Sequence, residues 1–143
     1  SHRCLIPVDG FYVWKPFSKK KAVPYYISRI DKKPLAIAGI WEEKDDFNEE
    51  VNHTFIMITQ HSDKRMTPYQ ENMPLCLGEK EIISWMNAGT TALEIEEIIK
   101  VTHLWPLTAH PVSPLIANLE KDSPSLIKHS QPSDQHGNYT LFQ

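Results

Sequence analysis

The sequence is poor in the residues that usually announce a chemistry. Two cysteines, Cys4 and Cys76, among 143 residues are too few for a disulfide framework, which points to a reducing compartment and a cytoplasmic location. No apolar run approaches the roughly 18–20 residues that a membrane helix needs, so no membrane partner is expected. There is no glycine-rich phosphate loop and no G-x-S-x-G elbow, which removes the common nucleotide-binding and hydrolase signatures. No histidine or cysteine pair stands at a metal-ligand spacing. His103 and His110 are seven apart in an extended segment and share a side only if the strand is broken. Neither metal nor cofactor is therefore expected. Cys76 lies between Leu75 and Leu77 and reads as a small buried hydrophobe. Cys4 follows Arg3, which would favour a thiolate, but a strand-forming Cys-Leu-Ile is equally ordinary.

What remains is a globular composition. A 41% hydrophobic and 10% aromatic share excludes a disordered tail. The length suits a single domain over residues 1–143, burying roughly 68–70% of its unfolded surface. The net charge of −3 hides an asymmetry. Residues 1–41 carry eight lysines and arginines against Asp9 and Asp31, a balance of +6, and the remainder carries seven basic against sixteen acidic residues, −9. A basic, aromatic first quarter on an acidic protein suits a nucleic-acid partner, or else a lysine-studded hairpin that is merely soluble.

The pattern predicts strands first and helices later, an α+β class. Cys4–Pro7 and Phe11–Trp14 read as strands around a turn at Asp9-Gly10, and Pro16–Ala22 as a hairpin loop. Val23–Ile30 and Pro34–Glu42 follow as strands, with an acidic loop over Asp45–Asn52. Thr54–Thr59 is a short apolar run, which predicts a central strand. Ile82, Ile83, Trp85 and Met86 predict a helix over Glu79–Met86 with Gly89 as its C-cap, and a second helix covers Thr90–Lys100. The tail from Lys121 reads as loosely structured. Trp41, Trp85 and Trp105 are expected in the core. Alternation puts Phe11 and Val13 on one face of their strand, and Tyr12 and Trp14 on the other.

The wording of the sequence adds what its periodicity does not. Arg3-Cys4-Leu5-Ile6-Pro7-Val8-Asp9-Gly10-Phe11-Tyr12-Val13-Trp14 resembles the R-C-L-I-P-A-D-G-F-Y-E-W signature of the SRAP family, the SOS-response-associated peptidases or abasic-site processing proteins. Phe55–Thr59 resembles the family's F-x-I-I-T strand. Pro68–Leu77 is similar to its P-I-H-[DN]-R-M-P-V-I-L block, and Pro111-Val112-Ser113 with Asn118 to its P-V-S-x-x-V-N-N close. The resemblance implies a curved, mainly antiparallel, barrel-like sheet around a groove, with peripheral helices. It also implies binding of single-stranded DNA and capture of its abasic sites, and a monomer is expected. In the family an N-terminal cysteine supplies an α-amine that forms a Schiff base with the abasic aldehyde, and its thiol closes a thiazolidine. A carboxylate and an imidazole would move the protons.

The resemblance also implies departures. The family's cysteine lies upstream of anything in this chain, which opens at Ser1 and reads as the later part of something longer; Cys4 belongs to the R-C-L-I-P block and is not the nucleophile. The family's glutamate falls on Val13, its histidine on Gln70 and its arginine on Asn72, while Thr59 is retained. His61 is a nearby alternative imidazole. The catalytic positions are then Val13, Gln70 and Thr59, and the nucleic-acid contacts Phe11, Lys19, Lys20, Lys21 and Asn72, with Val13 and Phe11 lining the cleft and Tyr12 and Trp14 left to the core. Three readings follow: an abasic-site processing protein with impaired acid–base residues, a non-catalytic single-strand-binding module, or a structural domain with solubilising lysines.

Overall fold

The computed structural model describes residues 2–45, 51–100 and 105–140. Within them the elements run β1 (His2–Val8), β2 (Gly10–Ser18), β3 (Lys21–Arg29), β4 (Leu35–Asp45), β5 (Val51–Met57), β6 (Thr59–His61), β7 (Asn72–Pro74), β8 (Cys76–Leu77), α1 (Glu79–Met86), α2 (Ala92–Lys100) and β9 (Leu107–Pro111). Every strand pairing is antiparallel. One sheet runs β1-β4-β5 with β8 also on β4, a second runs β2-β3-β9, and β6 and β7 form a two-stranded ribbon. The expected class holds, but the sheets are open and no barrel closes among the described residues.

Alternation along β1 and β4 divides the first sheet's side chains between two faces. Leu5 and Ala38 are register partners on one face. They pack beneath both helices with Leu75, Leu77, Trp85 and Ile98. On the other face Ile6, Leu35 and Ile37 meet Cys76, Phe11 and Leu107. Phe11 and Leu107 also border the cluster of Val13, Val23, Tyr25, Ile27, Met66 and Met73, so one apolar layer joins the two sheets.

Arg3 fastens this sheet to α1. Its Nε donates to the Trp85 carbonyl and a terminal guanidinium nitrogen to that of Asn87, each at 2.7 Å. Trp85 Nε1 donates to the Cys4 carbonyl at 2.9 Å. A basic residue on the last carbonyls of a helix satisfies groups that the helix itself leaves open. The second helix starts two residues later than the pattern suggests because Thr91 caps it. Glu94 accepts from the Thr91 N–H and hydroxyl at 2.8 Å, while the Glu94 N–H reaches Thr91 Oγ1 at 3.4 Å, a capping box.

Several expectations are corrected. β5 lies at an edge of its sheet, with β4 in the centre between β1 on one side and β5 and β8 on the other. Its apolar run is exposed, Phe55 by 65% and Ile56 by 68%; periodicity reports faces, whereas centrality depends on distant pairing partners. Tyr12 is exposed and stacks obliquely on Tyr26 instead of entering the core. Trp85 is buried, but Trp41 and Trp105 are only half-buried. The cap of α1 is Asn87, whose side-chain oxygen accepts from the Gly89 N–H. The hairpin loop shrinks to Lys19 and Lys20, because β2 and β3 continue to Ser18 and Lys21. The expected acidic loop falls mainly on 46–50, and His103 on 101–104, both outside the described residues.

The tail is more ordered than its composition suggests. Ser133 bridges Tyr139, and the buried Asp134 carboxylate accepts from the N–H groups of His136 and Asn138 at 2.9 Å. Burial opposes the charge, yet these hydrogen bonds and the Asn138 side chain prevail and hold the carboxyl at about 2. Gln135 clasps the β2–β3 turn, accepting from the Ala22 N–H and donating to the Lys20 carbonyl.

Candidate active site and nucleic-acid interface

Gly10 sets where β2 enters the molecule. A Cβ there would run into the Ile27 carbonyl and the Tyr26 ring, so only glycine lets the two strands and that phenol sit together. From this start the inward face of β2 carries Phe11, Val13 and Lys15 in turn, and a bulge between Pro16 and Ser18 then breaks the alternation.

Phe11 borders a narrow cavity of about 30 Å³, lined also by His61, Asp63, Met73, Cys76 and Trp105, room for about one water. Phe11 therefore lines this cavity. Val13 does not. It is 3% exposed, packed among Tyr25, Ile27, Met66 and Met73. A glutamate introduced there would have to bury its carboxylate in an apolar cluster, which costs several kcal/mol or leaves it protonated.

The ribbon gathers the other polar positions. His61 is the register partner of Asn72, and Thr59 that of Pro74. Since side chains two apart share a face, Thr59, His61 and Asn72 lie on one face of β6–β7, all exposed. His61 and Asn72, directly opposite, have Cβ atoms about 4.5–5.5 Å apart by strand geometry. Gln70 is exposed in the connection just before β7, and its carbonyl accepts from Ser62 Oγ at 2.5 Å. The turn between the strands is built on Asp63, which accepts from the Arg65 and Met66 N–H groups and from the Arg65 guanidinium at 2.8 Å. Arg65 beside it holds the Asp63 carboxyl below its ordinary range.

Sequence reasoning missed the arginines around the cavity. Arg29 lies over the Trp105 ring at 4.0 Å and forms a bidentate pair with Asp31 at 2.8 and 2.6 Å. Arg29 holds the Asp31 carboxyl at about 2. Arg65 donates to the Trp105 carbonyl at 3.2 Å. Arg-x-Asp and Asp-x-Arg spacings were the available signal, but what brings both to Trp105 is long-range packing.

The lysines are not gathered with the ribbon. Lys19 is eight residues beyond Phe11, about 26 Å along an extended strand. Lys21 is paired with Asp134 at 3.4 Å, so part of the expected basic loop is already neutralised. Cys76 is buried, and burial pushes its thiol up to about 11, far from a reactive thiolate. No group of three or more metal-binding side chains occurs among the described residues. No helix among them is long and apolar enough to cross a membrane.

The chain is 34% identical over 103 residues to an abasic site processing protein of Saccharomyces cerevisiae, a stretch covering 69% of this chain and 26% of that one. It is 27% identical over 129 residues to the abasic site processing protein YoqW of Bacillus subtilis, covering 90% and 58%. Against the abasic site processing protein HMCES of Xenopus tropicalis it is 28% identical, covering 85% and 42%. The chain thus spans between about a quarter and three fifths of these relatives. A solved structure from Bacteroides thetaiotaomicron superposes with a TM-score of 0.80 at 24% identity, over 90% of this chain and 57% of that one, a likeness of fold. Residues 1–119 match the family described as SOS response associated peptidase (SRAP), and the chain belongs to that family.

Proposed function

We propose that this chain, as one domain, takes part in processing abasic sites in single-stranded DNA, with the outer face of the β6–β7 ribbon turned to the lesion. The observation that carries the reading is the common face of Thr59, His61 and Asn72, in a chain whose named relatives are abasic site processing proteins. In the capture that the family resemblance implies, an amine attacks the ring-opened aldehyde and forms a C–N bond. The hydroxyl must then leave as water, which requires a proton. A thiol next adds to the imine carbon, forming the C–S bond, and its proton passes to nitrogen. Imidazole is the side chain whose unperturbed pKa suits both transfers. His61 fills that role here, since Gln70 cannot titrate and Val13 is buried. Thr59 and Asn72 orient the sugar by hydrogen bonds. Neither Cys4 nor Cys76 is the attacking thiol.

The test uses the protein with its native N-terminus and an abasic single strand, with adduct read on denaturing gels. His61→Gln is expected to slow adduct formation by about 10²–10⁴ while equilibrium binding to an intact strand is kept. An unchanged rate removes His61 from the chemistry. Binding without any wild-type adduct favours the non-catalytic module, the reading that the burial of Val13 supports.

A further inference from the structure

Beyond Val13 β2 continues through Lys15 to Phe17, which stands at the bulge between Pro16 and Ser18, and there the molecule holds a second recess. Phe17, 49% exposed, borders a half-open cavity of about 120 Å³ with Lys15, Pro16, Val23 and Tyr25, closed on its far side by Pro132 and Thr140 of the tail. Tyr25 meets Tyr69 edge-on at 5.0 Å. The Lys15 ammonium stands over both rings, 5.5 Å from the centre of Tyr25 and 5.0 Å from that of Tyr69. No carboxylate lies within ion-pair distance of it among the described residues, whereas Lys21 at the end of the same hairpin is paired with Asp134.

This combination differs from a solubilising lysine. An ammonium over two aromatic faces is attracted by the negative charge of the rings. Beside it stands the exposed Phe17 ring at the end of β2. Cation plus exposed ring is the pairing that single-stranded nucleic acid uses, phosphate to the one and unstacked base to the other. Lys15 lies four residues from Phe11, about 13 Å along the strand, so this recess and the ribbon can meet neighbouring parts of one strand.

We infer that the Lys15–Phe17 recess is a nucleotide subsite, in which a base stacks on Phe17 and its phosphate meets Lys15. The inference rests on the single-stranded DNA reading above and adds to it a place where the undamaged strand is held. It also shifts the electrostatic contact from the Lys19, Lys20 and Lys21 turn to Lys15.

The experiment is fluorescence anisotropy of labelled oligothymidylate titrated with the 143-residue chain over a range of salt. Phe17→Ser should weaken binding roughly tenfold or more. Lys15→Gln should reduce the salt slope by about one, and Lys15→Arg should retain it. Lys80→Gln on α1 removes a charge elsewhere and should leave the slope nearly unchanged. Independently of any variant, saturating oligothymidylate should protect Lys15 of the wild type from acetylation, read by mass spectrometry. Wild-type binding that neither Phe17→Ser nor Lys15→Gln alters, with Lys15 still fully acetylated, overturns the subsite and leaves the proposed function standing. A wild type that binds no single strand overturns both. Preference for oligouridylate over oligothymidylate would assign the subsite to RNA and overturn its assignment to DNA.

Discussion

The two sheets treat their apolar residues in opposite ways. Along β3 the β2-β3-β9 sheet is covered on both faces. Met66 and Met73 lie against Val13 and Ile27 inside, and outside Tyr26 meets His110, which in turn stacks on His129 of the tail. The β1-β4-β5 sheet is covered by helices over Leu5 and Ala38 but carries Phe55 and Ile56 into the open at its β5 edge. Equal hydrophobicity in two stretches therefore does not mean equal burial. Energetic weight sits where distant segments return, at Trp85 and at the tail, and not where the apolar run is longest.

That contrast can be broken at its strongest point first. Trp85→Ala removes a buried ring together with its bond to the Cys4 carbonyl and the surface on which Arg3 rests. A loss of about 3–5 kcal/mol is expected in urea unfolding. A cost below about 1 kcal/mol would mean that the helices contribute little to the sheet. Gly10→Ala comes next, since the added methyl meets the Ile27 carbonyl and the Tyr26 ring. Strain of about 1–3 kcal/mol is expected by the same measurement, and a neutral result would show that the covered sheet can yield.

The tail clasp is sharpened by pH. Asp134 has a folded pKa of about 2, below its ordinary 3.8. A depressed carboxylate stabilises the fold fully above the unfolded value and loses that contribution as pH falls through the folded one. Thermal melts should therefore show the wild-type advantage over Asp134→Asn shrinking between about pH 4 and pH 2. Asp31 titrates over the same range, but it is present in both proteins and cancels in the difference. An advantage independent of pH would remove the ionised clasp. The smallest effect belongs to the open edge. Phe55→Thr should change stability by no more than about 0.5 kcal/mol, and a larger loss in the same unfolding assay would show that the edge is covered in solution.

How much of this was legible without coordinates differs by length scale. The strands β1 to β5, the two helices with the α1 boundaries, the burial of Trp85 and of Cys76 between its two leucines, and the family resemblance carried by Arg3–Trp14 were readable. These depend on near neighbours along the chain, where side-chain period and local backbone preference act directly. The edge position of β5, the burial of Val13 and the exposure of Tyr12 were not readable, because alternation assigns two faces without saying which one another segment will cover. The same limit hid the site. Thr59, His61 and Asn72 share a face only because β6 and β7 pair in one register, and a slip of one residue would turn Asn72 away. Lys15 carries an unpaired-looking charge in sequence like its neighbours at 19, 20 and 21. Only the return of Tyr69 and of the tail decides that Lys15 rests on rings while Lys21 meets Asp134. Local preference is written residue by residue, but which charges and rings meet is settled by long-range packing, where many weak contacts choose one arrangement together.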